Sequence, residues 1–249
     1  LGATLFVVPE AAGYHRQCFH ELHRTGVEIG LHYHPQDHGH PDFLGAFTAD
    51  EQREMLAEAT ATWAGALGWA PRVFRPGNFS ANDATFPVLT SLGYLAGSVS
   101  CPLRNFGEVR AHWAGAPLDA HFAHRANRLM PGDGTHALDF LEAPLTVDWE
   151  SIMWGGRTPL ELRLEMVDAR AHGFTIRKVI QRQMDEGRQP HLVPMTHNVF
   201  DYSDCSEFRR QVLEGVIAEM QQAAGEQGLT LRSTTLLELR ASRLAAVSR

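Results

Sequence analysis

Four histidines fall within nine residues: His32, His34, His38 and His40, in the stretch VEIGLHYHPQDHGH. The first two stand two residues apart at the end of an apolar, strand-like run. Positions i and i+2 of an extended segment point to the same side. Two imidazoles on one side can bind one transition-metal ion, with Zn–N distances of about 2.0–2.1 Å. His32 ends the run and reads as a ligand; His34 reads either as its partner or as a loop residue. His38 and His40 repeat the spacing beyond Pro35, beside Gly39 and Pro41. They read as solvated loop histidines.

Two more polar sets follow apolar runs. Arg75 and Asn78 come after RVF, and His197 and Asn198 end or follow HLVPMTH. A buried arginine needs a partner, usually a carboxylate. Arg75 therefore either orients a catalytic carboxylate or sits in a turn made by RPGN. A histidine titrates near neutral pH and can serve as a catalytic acid, the role open to His197; the alternative is a rim histidine. Asp201 and Asp204 could orient it or cap the helix that follows. Asn78 and Asn198 are candidate substrate-binding residues.

Such groups meet only if their strands end together. The apolar runs predict strands at 3–8, 27–32, 72–77, 94–100, 139–146, 191–197 and 229–233. Helical spacing predicts helices over 11–25, 50–67, about 82–93 and 207–227, a helix-rich stretch over 158–187 and a last helix at the end. In the second of these, Thr48 or Asp50 is the cap, and Met55, Leu56, Ala59, Trp63 and Leu67 share a face. Residues 101–137 lack periodicity and read as an irregular insertion or a pair of short strands. Strands alternating with helices imply βαβ units and a parallel sheet. About seven such units suggest a barrel, with its active site at the C-terminal strand ends.

The net charge of -7, with no basic tract, argues against a nucleic-acid partner. No run of 18 apolar residues exists, so no membrane span is expected. The three cysteines are dispersed and form no C-x-x-C pair. That spacing, with no visible signal peptide, suggests a reducing compartment and a cytoplasmic protein. Nothing in the sequence sets the oligomeric state.

GATLFVVP, VEIGLHYH, FRPGNFSAN, LEAPLT and PMTH occur in this order. Together they resemble the motifs of the polysaccharide deacetylase family, the NodB-like carbohydrate esterase family 4. The resemblance implies an α/β fold: one distorted (β/α)7 TIM-like barrel over 1–249, apparently lacking its first strand and helix in this chain. It implies a metal-dependent hydrolase that removes an N- or O-acetyl group from a carbohydrate, in surface-polysaccharide biosynthesis or modification. It also implies a divalent metal, zinc by its ligand type. His32 matches the first metal histidine, Arg75 the arginine of the third motif, and His197 the histidine that protonates the leaving group. Three positions depart from the pattern. The T-F-D-D motif, which supplies a base and a metal ligand, has no counterpart in the chain. Gln36 stands four residues after His32, where the second metal histidine is expected, leaving His34 or His38 to replace it. Gly97 stands where an aspartate often occurs. Two other readings stay open: an inactive sugar-binding relative of the same barrel, and a different metal-dependent amidohydrolase with an H-x-H pair.

Overall fold

A computed structural model describes residues 2–247. The chain groups into two compact units. One takes the segments up to Ser100, from Asn105 to Pro144, and from Ser233 onward; the other takes Cys101–Arg104 and Leu145–Arg232.

The first unit begins with β1 (Thr4–Val7), α1 (Pro9–Tyr14), α2 (Arg16–Arg24) and β2 (Glu28–Tyr33). It continues through α3 (Ala49–Leu67), β3 (Val73–Pro76), α4 (Thr85–Ser91) and β4 (Ala96–Gly97). The insertion forms a small antiparallel pair, β5 (Asn105–Phe106) with β6 (Ala111–His112), followed by β7 (His121–His124) and β8 (Ala137–Glu142). The main sheet runs β1-β2-β3-β4-β8-β7. Its first five strands are parallel and β7 is antiparallel. The α/β class and the parallel sheet expected from the sequence are present. So is the predicted face of α3, where Met55, Leu56, Ala59, Trp63 and Leu67 are all buried. Thr48 and Glu51 close a capping box at the start of that helix.

Sheet register sets up the site. Leu31 pairs with Phe74, Phe74 with Gly97, Gly97 with Glu142, and Glu142 with His121. One residue further along, His32 pairs with Arg75. Two adjacent rows of the sheet thus bring chemical groups to the C-terminal ends of parallel strands. β4 is shorter than the predicted 94–100: Ser98 N–H still donates to the Phe74 carbonyl at 3.1 Å, but Val99 and Ser100 leave the ladder and bond to the Glu142 side chain.

The second unit corrects the sequence reading. The stretch predicted as helix-rich opens with β10 (Thr158–Glu161), paired antiparallel with β9 (Val147–Met153). Helix α5 covers only Ala169–Asp185, and α6 covers Phe208–Glu226. Leu160, Leu162 and Leu164 alternate with Glu161, Arg163 and Glu165, a period of two, and the leucines are buried. Leu162 and Leu164 pack with Ile176, Ile180, Val212, Val216, Met220 and Ala223. The predicted strand at 191–197 is a single parallel bridge, Arg163 to Met195. Pro194 sits in its middle and cannot donate to a ladder. The predicted strand at 229–233 does not form either; Leu229 and Leu231 are exposed there. The last helix, α7 (Leu236–Val247), belongs to the first unit. Glu28 accepts from the backbone N–H groups of Leu236 and Leu237, both at 3.0 Å, and so places a carboxylate at a helix N-terminus. No helix among the described residues is long and apolar enough to cross a membrane.

Candidate active site

His32 closes β2 and is half-buried. Its Nδ1 lies 2.8 Å from the Arg75 carbonyl oxygen. A carbonyl can only accept, so Nδ1 carries the proton and Nε2 keeps its lone pair. That Nε2 lies 3.0 Å from Nε2 of His34, with the two rings perpendicular and 4.7 Å apart. The spacing that suggested one face thus brings the two reactive nitrogens together. A methyl group at position 77 would strike the His34 ring, so the Pro-Gly turn after β3 requires its glycine.

Arg75 donates from Nη2 to the Ser98 hydroxyl at 2.8 Å and from Nε to the Ser98 carbonyl at 3.3 Å. Its guanidinium lies over the rings of Phe6 and Phe79, 4.8 and 5.4 Å from their centres. Asn78 is exposed on the turn beyond, and both it and Phe79 adopt left-handed backbone, with φ of 57° and 58°. His38 turns to Glu10 at 3.4 Å and stacks on Tyr33, while His40 sets its edge on Phe47. Gly97 is a close-approach position. A Cβ there would lie 2.7 Å from the Phe74 carbonyl oxygen and 2.8 Å from the Phe140 ring, which leaves no room for an aspartate.

The fit of a metal can be tested on these residues. A hydrogen bond from the far ring nitrogen to a carbonyl is the usual way a ligating histidine is aimed. Two nitrogens on one tetrahedral ion stand about 3.4 Å apart, so the observed pair needs a shift of only about 0.4 Å. Gln36 follows in the next turn, its amide oxygen and nitrogen both buried and without hydrogen-bond partners. An oxygen donor so placed in the chain suits a divalent ion. Among the described residues, no group of three or more His, Cys, Asp or Glu side chains could hold one. The donors present are therefore two imidazoles and a neutral amide.

Sequence reasoning missed Glu142. It ends β8, is fully buried, and accepts from Val99 N–H at 3.0 Å, Ser100 N–H at 2.9 Å and Ser100 Oγ at 2.7 Å. Burial pushes its carboxyl up to about 7, against the pull of those bonds and of the Arg75 charge. The available signal was one acidic residue inside an apolar strand, FLEAPL.

In the second unit, His197 and Asn198 are both exposed. The orienting carboxylate of His197 is Glu165, whereas Asp201 and Asp204 accept from Ser203 and Ser206 in local turns. Glu165 Oε1 lies 3.1 Å from His197 Nδ1 and accepts from His197 N–H at 2.7 Å and from the Thr196 hydroxyl at 2.9 Å. Burial raises the Glu165 carboxyl, but the bonds from His197 and Thr196 prevail and hold it at about 2. Glu165 is also the outer end of a ladder of alternating charge. Arg104 bonds buried Glu161 at 2.6 Å, and Arg163 stands 3.8 Å from Glu161 and 3.9 Å from Glu165. Positions 161, 163 and 165 share one side of an extended segment, which is why the charges line up.

Residues 1–97 match the family described as polysaccharide deacetylase. No curated protein matches the chain. A Mycobacterium smegmatis protein assigned as a polysaccharide deacetylase aligns over 98% of this chain and 72% of its own, with 16% identity and a TM-score of 0.57. A Pseudomonas aeruginosa protein assigned likewise aligns over 94% and 65%, with 13% identity and a TM-score of 0.54. Puue allantoinase gives the same coverage and TM-score at 14% identity. At these identities the likeness is one of fold, and this chain spans only about two-thirds of the last two proteins. The first 97 residues match the polysaccharide deacetylase family, and over nearly all its length the chain shares the fold of these solved structures.

Proposed function

We propose that the protein is a metal-dependent deacetylase that hydrolyses an N- or O-acetyl group on a carbohydrate. The observation that carries this reading is the His32–His34 pair, with its nitrogens together and the far nitrogen of His32 tied to Arg75. His32 and His34 would hold the ion, with the Gln36 amide as the nearest neutral donor in the chain. A divalent ion, zinc by these nitrogen donors, supplies Lewis acidity to the acetyl carbonyl and a water of lowered pKa. Arg75 sets a fixed positive charge at the same strand end, where negative charge develops as water adds to the carbonyl. His197 is assigned the acid. Its Nδ1 is held by Glu165, so Nε2 is the nitrogen that delivers a proton to the leaving amine or alkoxide. Asn78 and Asn198 are assigned to substrate hydroxyls.

A second reading, a sugar-binding protein without catalysis, rests on Gln36 standing where the family pattern has a histidine. One experiment separates the two. Metal content is measured by elemental analysis on wild type and His32→Ala, with acetate release from N- and O-acetylated oligosaccharides followed in parallel. About one zinc per chain, lost in the variant together with acetate release, supports the deacetylase. Sugar binding without zinc or acetate release supports the second reading.

A further inference from the structure

Glu142 lies apart from the groups assigned so far, and yet its bonds lead to them. It accepts from Val99 N–H, Ser100 N–H and Ser100 Oγ, three donors in the segment that continues β4. Ser98, at the start of that segment, accepts two bonds from the Arg75 guanidinium, one at its hydroxyl and one at its carbonyl. The Arg75 carbonyl takes the Nδ1 proton of His32, and His32 faces His34. Each link is a hydrogen bond or a step to the adjoining residue, and the far end of the line is a fully buried carboxyl group.

We propose that Glu142 is a positioning residue: it fixes Val99 and Ser100, and through the adjoining Ser98 it sets where the Arg75 guanidinium stands.

Three features favour this over a purely structural carboxylate. First, an apolar side chain would fill the space without any buried acid, yet the strand end carries one. Second, the Ser98 N–H is the last to reach the Phe74 carbonyl of β3, at 3.1 Å, and beyond it the N–H groups of Val99 and Ser100 depend on the Glu142 side chain for their geometry. Third, Arg75 is held against Ser98 and between two aromatic rings, so a shift of Ser98 moves the guanidinium directly. A guanidinium displaced by about 1 Å loses transition-state stabilisation while ground-state binding of a sugar remains.

The inference rests on the deacetylase reading for its kinetic consequence but not for its structural one. Two variants test it. Glu142→Gln keeps the shape and turns an amide N–H₂ toward backbone donors; Ser98→Ala removes only the hydroxyl that receives Arg75. With zinc supplied and acetylated oligosaccharide as substrate, both are expected to lower kcat about tenfold with KM within twofold and bound zinc unchanged. The Arg75 Nε–H proton, followed by ¹⁵N NMR, is expected to exchange slowly in wild type and at least tenfold faster in both variants. An unchanged Arg75 signal in a folded Glu142→Gln protein overturns the proposal. If that variant does not fold, the same result in Ser98→Ala overturns it. If wild type releases no acetate, the deacetylase reading fails alone, and the Arg75 signal still decides the role of Glu142.

Discussion

Glu142 and Glu165 are two carboxylates with similar company and opposite behaviour. Each accepts one or more backbone N–H bonds and a hydroxyl bond from the chain around it. Burial opposes ionisation at both. At Glu142 it wins, and the carboxyl rises to about 7; at Glu165 it loses, and the carboxyl falls to about 2. Bond count does not decide the outcome. Glu142 is sealed in and its direct donors are all neutral. The Glu165 side chain is 13% exposed, and the bonds it accepts from His197 and Thr196 outweigh its partial burial. At full burial the cost of desolvation exceeds what the accepted bonds return, and the carboxyl stays near its protonated form; at the rim the burial cost is smaller, the bonds prevail and the carboxyl stays ionised. The first suits a fixed support and the second suits holding the His197 ring in one orientation.

The sharpest way to break this contrast is to remove one histidine from each region. His32→Ala is expected to abolish bound zinc and with it acetate release. His197→Ala is expected to keep the zinc and lower kcat by about 10²–10⁴, the usual worth of a general acid. Elemental analysis beside steady-state kinetics checks both. Equal zinc loss in the two variants would merge the roles that the comparison separates.

Next in size is Glu165→Gln. The amide keeps the volume but gives up the charge that His197 and Thr196 bond to. A drop in kcat of about 10- to 100-fold is expected, with KM unchanged, because the loss is of orientation and not of substrate contact. A rise in KM alone would place Glu165 in sugar binding instead.

Stability against pH should show the two carboxylates with opposite slopes. The folded carboxyl of Glu142 lies above its ordinary value of 4.5. Its contribution is full below that value and fades as pH rises through about 7, by roughly 3 kcal/mol in all. The Glu165 carboxyl lies below 4.5, so its contribution is present above that value and fades as pH falls toward about 2. Chemical denaturation of wild type, Glu142→Gln and Glu165→Gln from pH 3 to 8 reads both. The advantage of wild type over Glu142→Gln should shrink with rising pH, and that over Glu165→Gln should grow. Parallel curves would show that the two environments do not differ as described.

The same contrast explains what the sequence disclosed. Its local signals were legible: the i, i+2 spacing of His32 and His34, the cap at Thr48, and the apolar face of α3 all act within one element. The run LELRLEM was misread as helical although its strict alternation is a strand pattern; the long α5 downstream drew the reading with it. Glu165 went unseen because its partner lies 32 residues away, just past the single Arg163–Met195 bridge. Glu142 was visible as an acid in an apolar strand, but its donors sit on the neighbouring strand's continuation, 42 and 43 residues back. Contacts set by register were out of reach of pattern alone.

The smallest expected effect concerns the two asparagines, one in each unit. Asn78 holds left-handed backbone at φ 57° and ψ 15°, a conformation that asparagine tolerates and glycine adopts freely. Replacing it with alanine would add a backbone cost of about 1–2 kcal/mol and confuse any reading of its side chain. Asn78→Gly removes the amide while leaving the turn intact. Relief of the backbone and the greater freedom of the unfolded chain roughly cancel, so stability should stay within about 0.5 kcal/mol of wild type. If the amide binds a substrate hydroxyl, KM rises about threefold to tenfold, the worth of one hydrogen bond, with kcat little changed. Asn198→Gly is its counterpart in the second unit and should behave the same way. A KM rise in only one of the two variants would assign sugar binding to that strand end, and unchanged KM in both would leave the asparagines as turn residues.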